Sequence, residues 1–208
     1  RASLLLTSPH NKACQSDWDE AVNDPCTSDV VDMLMRKLTV HKVIRSSKPR
    51  QSGDQNRIHG LFAMDDMLPQ MQSFAKSLGG GRNALSKWLH VDVHSYTSTD
   101  KDIEKIGWGR GFNIICLHDD STQKAFCQEF ATRLDAHNCF PIWPTRVIQM
   151  EDYPNRVNSD DSNVMIEWSR SHGALSLLVE VPTIRVGPGN YKIAEDAERV
   201  VTALAETI

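Results

Sequence analysis

The sequence has no apolar run long enough, about 18 residues, to cross a membrane as a helix. It has no basic excess either. Its 23 Lys and Arg stand against 27 Asp and Glu, a net charge of −4, which argues against a general nucleic-acid binder. The five cysteines, Cys14, Cys26, Cys116, Cys127 and Cys139, are odd in number and form no Cys-x-x-Cys pair. That excludes a paired-cysteine zinc site, argues against a disulfide framework and points to a reducing, cytoplasmic compartment. Cys116 and Cys127 fall in apolar settings and read as small buried hydrophobes, whereas Cys14 and Cys26 occupy a loop-like stretch where an exported protein would be able to pair them. No Gly-x-Ser-x-Gly elbow is present, so Ser95 is not marked as a serine nucleophile. Nor is there an internal repeat, a low-complexity tract or a linker.

What is present is a globular composition, with 40% apolar and 24% charged residues over 208 positions. That suffices for one domain spanning 1–208 with a full core. Leu4 to Thr7 is a β-rich run ending in Ser8-Pro9-His10. Asp29 to Leu38 reads as a helix capped by Thr27 or Ser28, with Val30, Met33, Leu34 and Leu38 on one face. Lys42 to Arg45 is a short strand, and Asp65 to Leu78 a second helix closed by Gly79-Gly80-Gly81. Trp88 to His94 alternates: Leu89, Val91 and Val93 on one face, Trp88, His90, Asp92 and His94 on the other.

The remaining elements continue the pattern. Phe112 to Leu117 is a buried strand, Ser121 to Asn138 a helix, Phe140 to Trp143 a short strand and Glu151 to Asn163 a long loop. Ala174 to Val181 is a strand, and Ala194 to Thr207 an amphipathic helix. Strands alternating with helices predict an α/β fold with a mainly parallel or mixed central sheet and helices on both faces. Ligands in such sheets gather beyond the carboxyl ends of the strands.

The residues at those ends are informative. His10 follows the first strand, His94 ends the strand Val91-Asp92-Val93-His94, and Glu180 sits in Leu177-Leu178-Val179-Glu180-Val181-Pro182. Between them lies the loop Arg50-Gln51-Ser52-Gly53-Asp54-Gln55-Asn56-Arg57. Two histidines and an acid suit a zinc site with an open position for water. Each histidine also has a bland reading as a hydrogen-bonded core residue. A carboxylate embedded in an apolar strand has its pKa raised by burial, which suits a general base.

In this order the segments resemble the N-formylglutamate amidohydrolase-like family, a branch related to the zinc carboxypeptidases. The resemblance rests on four pieces: Leu4 to His10 ending in Ser-Pro-His; Arg50 to Arg57 as Arg-x5-Asn-Arg; Val91-Asp92-Val93-His94-Ser95; and Leu175 to Arg185, with its Glu-x-Pro. It implies a zinc-dependent hydrolase that cleaves an amide bond beside a free carboxylate, in an N-acyl amino acid or short peptide. His10, His94 and one acid would hold zinc, Glu180 would be the general base, and Arg50 would stabilise the oxyanion. Asn56 and Arg57 would grip the substrate carboxylate, and Asp92 would orient a ligand or pair with a basic residue.

The sequence departs from the carboxypeptidase pattern at Ala13, where the metal carboxylate three residues after the first histidine would stand. In the amidohydrolase branch the acid comes later. Asp17, Asp24 and Asp29 are candidates, and Asp29, opening a helix, is preferred. Its bland reading is an acid favoured by the helix dipole. His41, His59, His118 and His137 read as surface or element-end residues, His90 as core packing, and His172, Tyr153 and Tyr191 as residues within possible reach of the site. The competing function is a non-catalytic relative that binds a carboxylate or a protein partner. Neither nucleic acid nor membrane is expected as a partner.

Overall fold

Leu4, Leu5 and Leu6 are all buried although they alternate between the two faces of their strand, so this strand is covered on both sides. The computed structural model describes residues 2–13, 24–47, 66–97, 113–116, 121–138, 146–149, 164–193 and 197–208. In chain order the elements are β1 (Ser3–Ser8), α1 (Thr27–Lys37), β2 (Val40–Arg45), α2 (Met67–Ser77), β3 (Trp88–Thr97) and β4 (Asn113–Cys116). There follow α3 (Ser121–Ala136), β5 (Arg146–Gln149), α4 (Val164–Ser171), β6 (Leu175–Gly187), β7 (Asn190–Ile193) and α5 (Ala197–Thr207).

The strands form one mixed sheet in the order β2-β1-β3-β6-β4-β5, with β7 pairing β6. β2, β1, β3 and β6 are mutually parallel. β4 runs antiparallel to β6 and β5 parallel to β4, while β7 folds back antiparallel on the far end of β6. The α/β architecture expected from the sequence is therefore present, with the sheet mixed.

The two faces have different covers. Leu4, Leu6, Leu89, Val91, Val93, Leu177, Val179 and Val181 meet Val30, Val31 and Leu34 of α1, Phe130 and Leu134 of α3, and Val200, Val201 and Leu204 of α5. Leu5 and Ile44 meet Met67, Leu68 and Met71 of α2 and Met165 of α4 on the other side. This second apolar cluster is smaller, and the same face carries Thr7, His90, Asp92, His94 and Glu180, each 5% exposed or less.

Several boundaries differ from expectation. α1 begins at Thr27, and Cys26 is its N-cap in left-handed backbone (φ 68°) without a side-chain cap bond. Thr27 does not cap; its hydroxyl donates to the Asp24 carbonyl at 3.0 Å and accepts the Lys12 N–H at 3.1 Å. α2 closes as expected on Gly79 and Gly80, whose amides bond the Lys76 and Ala75 carbonyls at 3.1 and 3.0 Å. Both have positive φ, which glycine adopts without strain.

β3 and β6 run beyond the expected ends, to Thr97 and Gly187, because they pair with each other from Leu89↔Leu175 to Thr97↔Thr183 and β6 then pairs with β7 from Thr183 to Gly187. β5, α4 and β7 were not anticipated. The expected strand Phe140 to Trp143 and loop Glu151 to Asn163 lie outside the described residues. Cys26 and Cys127 are both disulfide-bonded, which corrects the reading of Cys127 as a plain buried thiol.

Candidate metal centre

Three groups meet where β1 and β3 end. His10 lies two residues past β1, and His94 lies near the end of β3 on the α2/α4 face. Asp24 reaches them because its segment runs alongside Asn11. The two residues form an isolated parallel bridge, and the Ser28 amide bonds the Lys12 carbonyl at 3.0 Å. The Thr27 hydroxyl, tied to Lys12 and Asp24, fastens the same junction.

The geometry converges on one oxygen. His10 Nδ1 lies 3.1 Å and His94 Nδ1 2.8 Å from Asp24 Oδ2, and the Ser95 amide donates to that oxygen at 3.4 Å. The two imidazoles meet edge to face, with centroids 5.0 Å apart. His10, Asp24 and His94 are only 3%, 6% and 5% exposed, so solvent screens them little. Each offers a ligand atom within 4.8 Å of the others, and among the described residues theirs is the one group of three that could hold a metal.

On its other side, His94 Nε2 lies 3.0 Å from Asp92 Oδ2. Asp92 in turn accepts the Thr7 hydroxyl through Oδ1. Glu180 is buried and pairs in register with His94 across the parallel β3–β6 ladder, so the two share a face.

The electrostatics follow from this packing. For Asp24, burial works to raise the pKa, but the charges and hydrogen bonds of His10 and His94 hold it below the ordinary carboxylate value. Asp92 behaves the same way: burial raises it, and His94, His90 and the Thr7 hydroxyl bring it down. Burial disfavours charge on His94, but Asp92 and Asp24 outweigh that and hold its pKa well above the usual imidazole value. The set is thus two nitrogen donors and an ionised oxygen donor, which is the chemistry a zinc ion accepts.

The expected residues fall into three groups. His10 and His94 are brought together, with Glu180 on the same face as His94. The acid beside them is Asp24, not the preferred Asp29. Asp29 lies in the first turn of α1, and helix formation from Thr27 carries it past the junction at which Asp24 is held against Asn11. Asp17, Arg50, Asn56 and Arg57 lie outside the described residues, as do Tyr153, His59 and His118.

The other histidines and the remaining tyrosine take varied places. His41 accepts the Leu4 amide at 3.1 Å, His137 pairs with Glu206 at 2.9 Å, and His172 stacks on Trp168. Tyr191 is buried, with the Lys12 ammonium 5.2 Å from its ring centroid. Two residues that sequence reasoning passed over, Thr7 and Ser169, are fully buried and hydrogen-bond His90. A hydroxyl inside the apolar run Leu4-Leu5-Leu6-Thr7 was the available signal for the first.

No family model matches the chain, and no curated protein matches it in sequence. Solved structures do share its fold. N-formylglutamate amidohydrolase from Ralstonia eutropha JMP134 matches with TM-score 0.59 and 12% identity, over 99% of this chain and 91% of that one. The tripeptide-bound cell shape determinant Csd4 of Helicobacter pylori matches with TM-score 0.54 and 13% identity, over 99% of this chain and 50% of that one. Carboxypeptidase A from Helicoverpa armigera gives TM-score 0.53 and 15% identity, over 100% of this chain and 58% of that one. At these identities the likeness is one of fold. Relative to the last two proteins, the chain spans between half and three-fifths of their length.

Proposed function

We propose that the protein is a zinc-dependent hydrolase that cleaves an amide bond next to a free carboxylate, as in an N-acyl amino acid or short peptide. The observation that carries this reading is the convergence of two buried imidazole Nδ1 atoms on one buried carboxylate oxygen, 3.1 and 2.8 Å away. Buried ionised groups are costly unless paired or bound to metal, and a nitrogen-nitrogen-oxygen set at strand ends fits zinc. His10, Asp24 and His94 would hold it. When bound, zinc supplies a Lewis acid for the scissile carbonyl and lowers the pKa of a water towards neutrality.

The chain's own residues do the rest. Glu180, on the same face as His94, accepts the proton of the attacking water and returns it to the leaving nitrogen. Asp92 holds the Nε2 proton of His94 and fixes its ring, as carboxylates behind metal-bound histidines do. By resemblance in sequence, Arg50 would stabilise the oxyanion, and Asn56 and Arg57 would hold the substrate carboxylate, arginine doing so through two parallel hydrogen bonds. The fold likeness to an amidohydrolase and to a carboxypeptidase supports hydrolysis as the reaction class. The disulfide bonds at Cys26 and Cys127 favour an oxidising compartment over the reducing one expected from the cysteine spacing.

The test is turnover of N-formyl and N-acetyl amino acids, alongside the same compounds with the carboxylate blocked as an amide. Zinc-loaded protein should cleave the free acids, lose activity to a chelator and regain it with zinc, while the blocked compounds react far more slowly. A protein that binds zinc and the free acids but cleaves none would be the non-catalytic carboxylate binder instead.

A further inference from the structure

Beneath the metal centre a chain of buried polar groups runs across the sheet to α4. From the site inward the contacts are His94 Nε2 to Asp92 Oδ2 at 3.0 Å, Asp92 Oδ1 to the Thr7 hydroxyl, and Thr7 Oγ1 to His90 Nε2 at 2.7 Å. His90 Nδ1 then lies 2.6 Å from Ser169 Oγ, which lies 2.8 Å from Ser176 Oγ. Thr7, His90, Asp92 and Ser169 are 0% exposed and Ser176 is 2% exposed, so water does not compete for these bonds. The proposed reaction uses Asp92 but gives Thr7, His90, Ser169 and Ser176 no part.

The direction of the chain follows from the donor inventory. The Thr7 hydroxyl has one proton, and it is donated to Asp92 Oδ1. Thr7 Oγ1 must then accept from His90, which puts a proton on His90 Nε2. Burial pushes His90 down to about 4 against the pull of Asp92, so the ring is neutral near pH 7 and its Nδ1 is bare. His90 Nδ1, at 2.6 Å, therefore takes the Ser169 proton in preference to the Ile166 carbonyl at 3.0 Å, and Ser176 donates to Ser169 at 2.8 Å in preference to the Ala174 carbonyl at 3.5 Å. At the other end Asp92 accepts from His94, which holds a proton on His94 Nε2. His94 Nδ1 then faces Asp24 Oδ2 at 2.8 Å, and what lies between a bare nitrogen and a carboxylate oxygen must be positive, a proton or a metal ion.

We infer that Thr7, His90 and Ser169 are positioning residues of the metal centre: their one-way hydrogen-bond chain orients Asp92, keeps the His94 proton on Nε2 and so presents Nδ1 to the metal. The inference rests on the metal reading of the site, and it ties metal affinity to α4, an element that contributes no ligand. Outer partners of this kind typically change metal affinity by about 10–100-fold when removed.

Two measurements test it. The first is zinc affinity by competition with a chromophoric chelator, for wild type, Thr7→Val, Thr7→Ser and Ser169→Ala. Thr7→Val, which keeps shape but loses the hydroxyl, should weaken zinc by about 10–100-fold. Thr7→Ser, which keeps the hydroxyl, should restore affinity to within about threefold, a rescue that a purely packing role would not give. Ser169→Ala should weaken zinc by several-fold, and it carries the affinity test should Thr7→Val fail to fold. The second is the ring-nitrogen NMR spectrum of His90 in metal-free wild type, where the neutral tautomer with the proton on Nε2 is expected. A His90 proton on Nδ1, or unchanged zinc affinity in Thr7→Val and Ser169→Ala, overturns the chain and leaves the metal reading standing. A wild type that binds no zinc overturns the metal reading and, with it, the affinity role, whatever the state of His90.

Discussion

His90 makes the metal-free protein sensitive to mild acid. Its pKa falls from 6.5 to about 4 because burial disfavours the charged ring more than Asp92 favours it. The unfolded chain therefore binds a proton that the folded chain refuses, and stability falls as pH drops from 6.5 towards 4. With each pH unit worth about 1.4 kcal/mol, the full effect is about 3 kcal/mol, of which about 2 is lost between about pH 7.5 and pH 5.

Of the neighbouring groups, His94 works in the opposite direction. It is held well above 6.5, so its stabilising contribution is fully present below that value and is lost as pH rises from there towards its folded pKa. That change is common to wild type and to a variant at position 90, and it cancels when the two are compared. Asp24 and Asp92 are held below 3.8, so their contributions are intact above that value and are lost only in stronger acid. Urea denaturation with a chelator present, at about pH 7.5 and pH 5, reads the effect as the difference between wild type and a variant that cannot titrate at position 90. His90→Gln keeps a donor for Thr7 but cannot titrate, and its stability should fall by about 2 kcal/mol less than that of wild type between the two conditions. In melting temperature the wild-type excess corresponds to about 4–8 °C. Equal pH slopes for wild type and His90→Gln would refute the assignment of a neutral, buried His90.

Three further outcomes are expected. Glu180→Gln should retain zinc and substrate binding while kcat falls by about 10²–10⁴-fold, the usual worth of general acid-base catalysis, and near wild-type kcat would make Glu180 structural. Gly173→Ala should lower stability by about 1–3 kcal/mol, because φ is 90° and the new Cβ would stand 3.3 Å from the Ser86 Cα. Gly80→Ala, with positive φ but open space around it, should cost less in the same thermal melt, and the reverse order would contradict the close approach at Gly173.

Much of the fold was legible because its strongest signals are local. Alternation in Leu89 to His94 assigned both faces of β3 correctly, and apolar spacing located α1, α2 and α3. α4 escaped notice because it has only eight residues and its sequence, Val-Met-Ile-Glu-Trp-Ser-Arg-Ser, carries less than three turns of pattern. β7 is four residues long and exists as the antiparallel partner of the far end of β6, a tertiary fact that no four-residue pattern records.

At the site, the strand-end rule singled out His10, His94 and Glu180; His10 and His94 lie together, and Glu180 pairs in register with His94. Among the three candidate acids it is Asp24, not the preferred Asp29, that lies beside the histidines, because helix-start logic describes only a segment's own backbone. What brings Asp24 to the histidines is instead the pairing of its segment with Asn11, set by the Thr27 hydroxyl and the Lys12 backbone. The relay behind Asp92 was invisible for a related reason. Thr7, His90 and Ser169 are far apart in sequence and become partners only when β1, β3 and α4 stack.

The most direct test of the metal centre is zinc content by elemental analysis, after loading and exhaustive dialysis, of wild type, His94→Ala, Asp24→Ala and Asp29→Ala. We expect about one zinc per chain in wild type and in Asp29→Ala, and essentially none in His94→Ala and Asp24→Ala, for a site that takes two histidines and one carboxylate. A wild type without zinc, or zinc retained by Asp24→Ala and lost from Asp29→Ala, would contradict the site built on His10, Asp24 and His94.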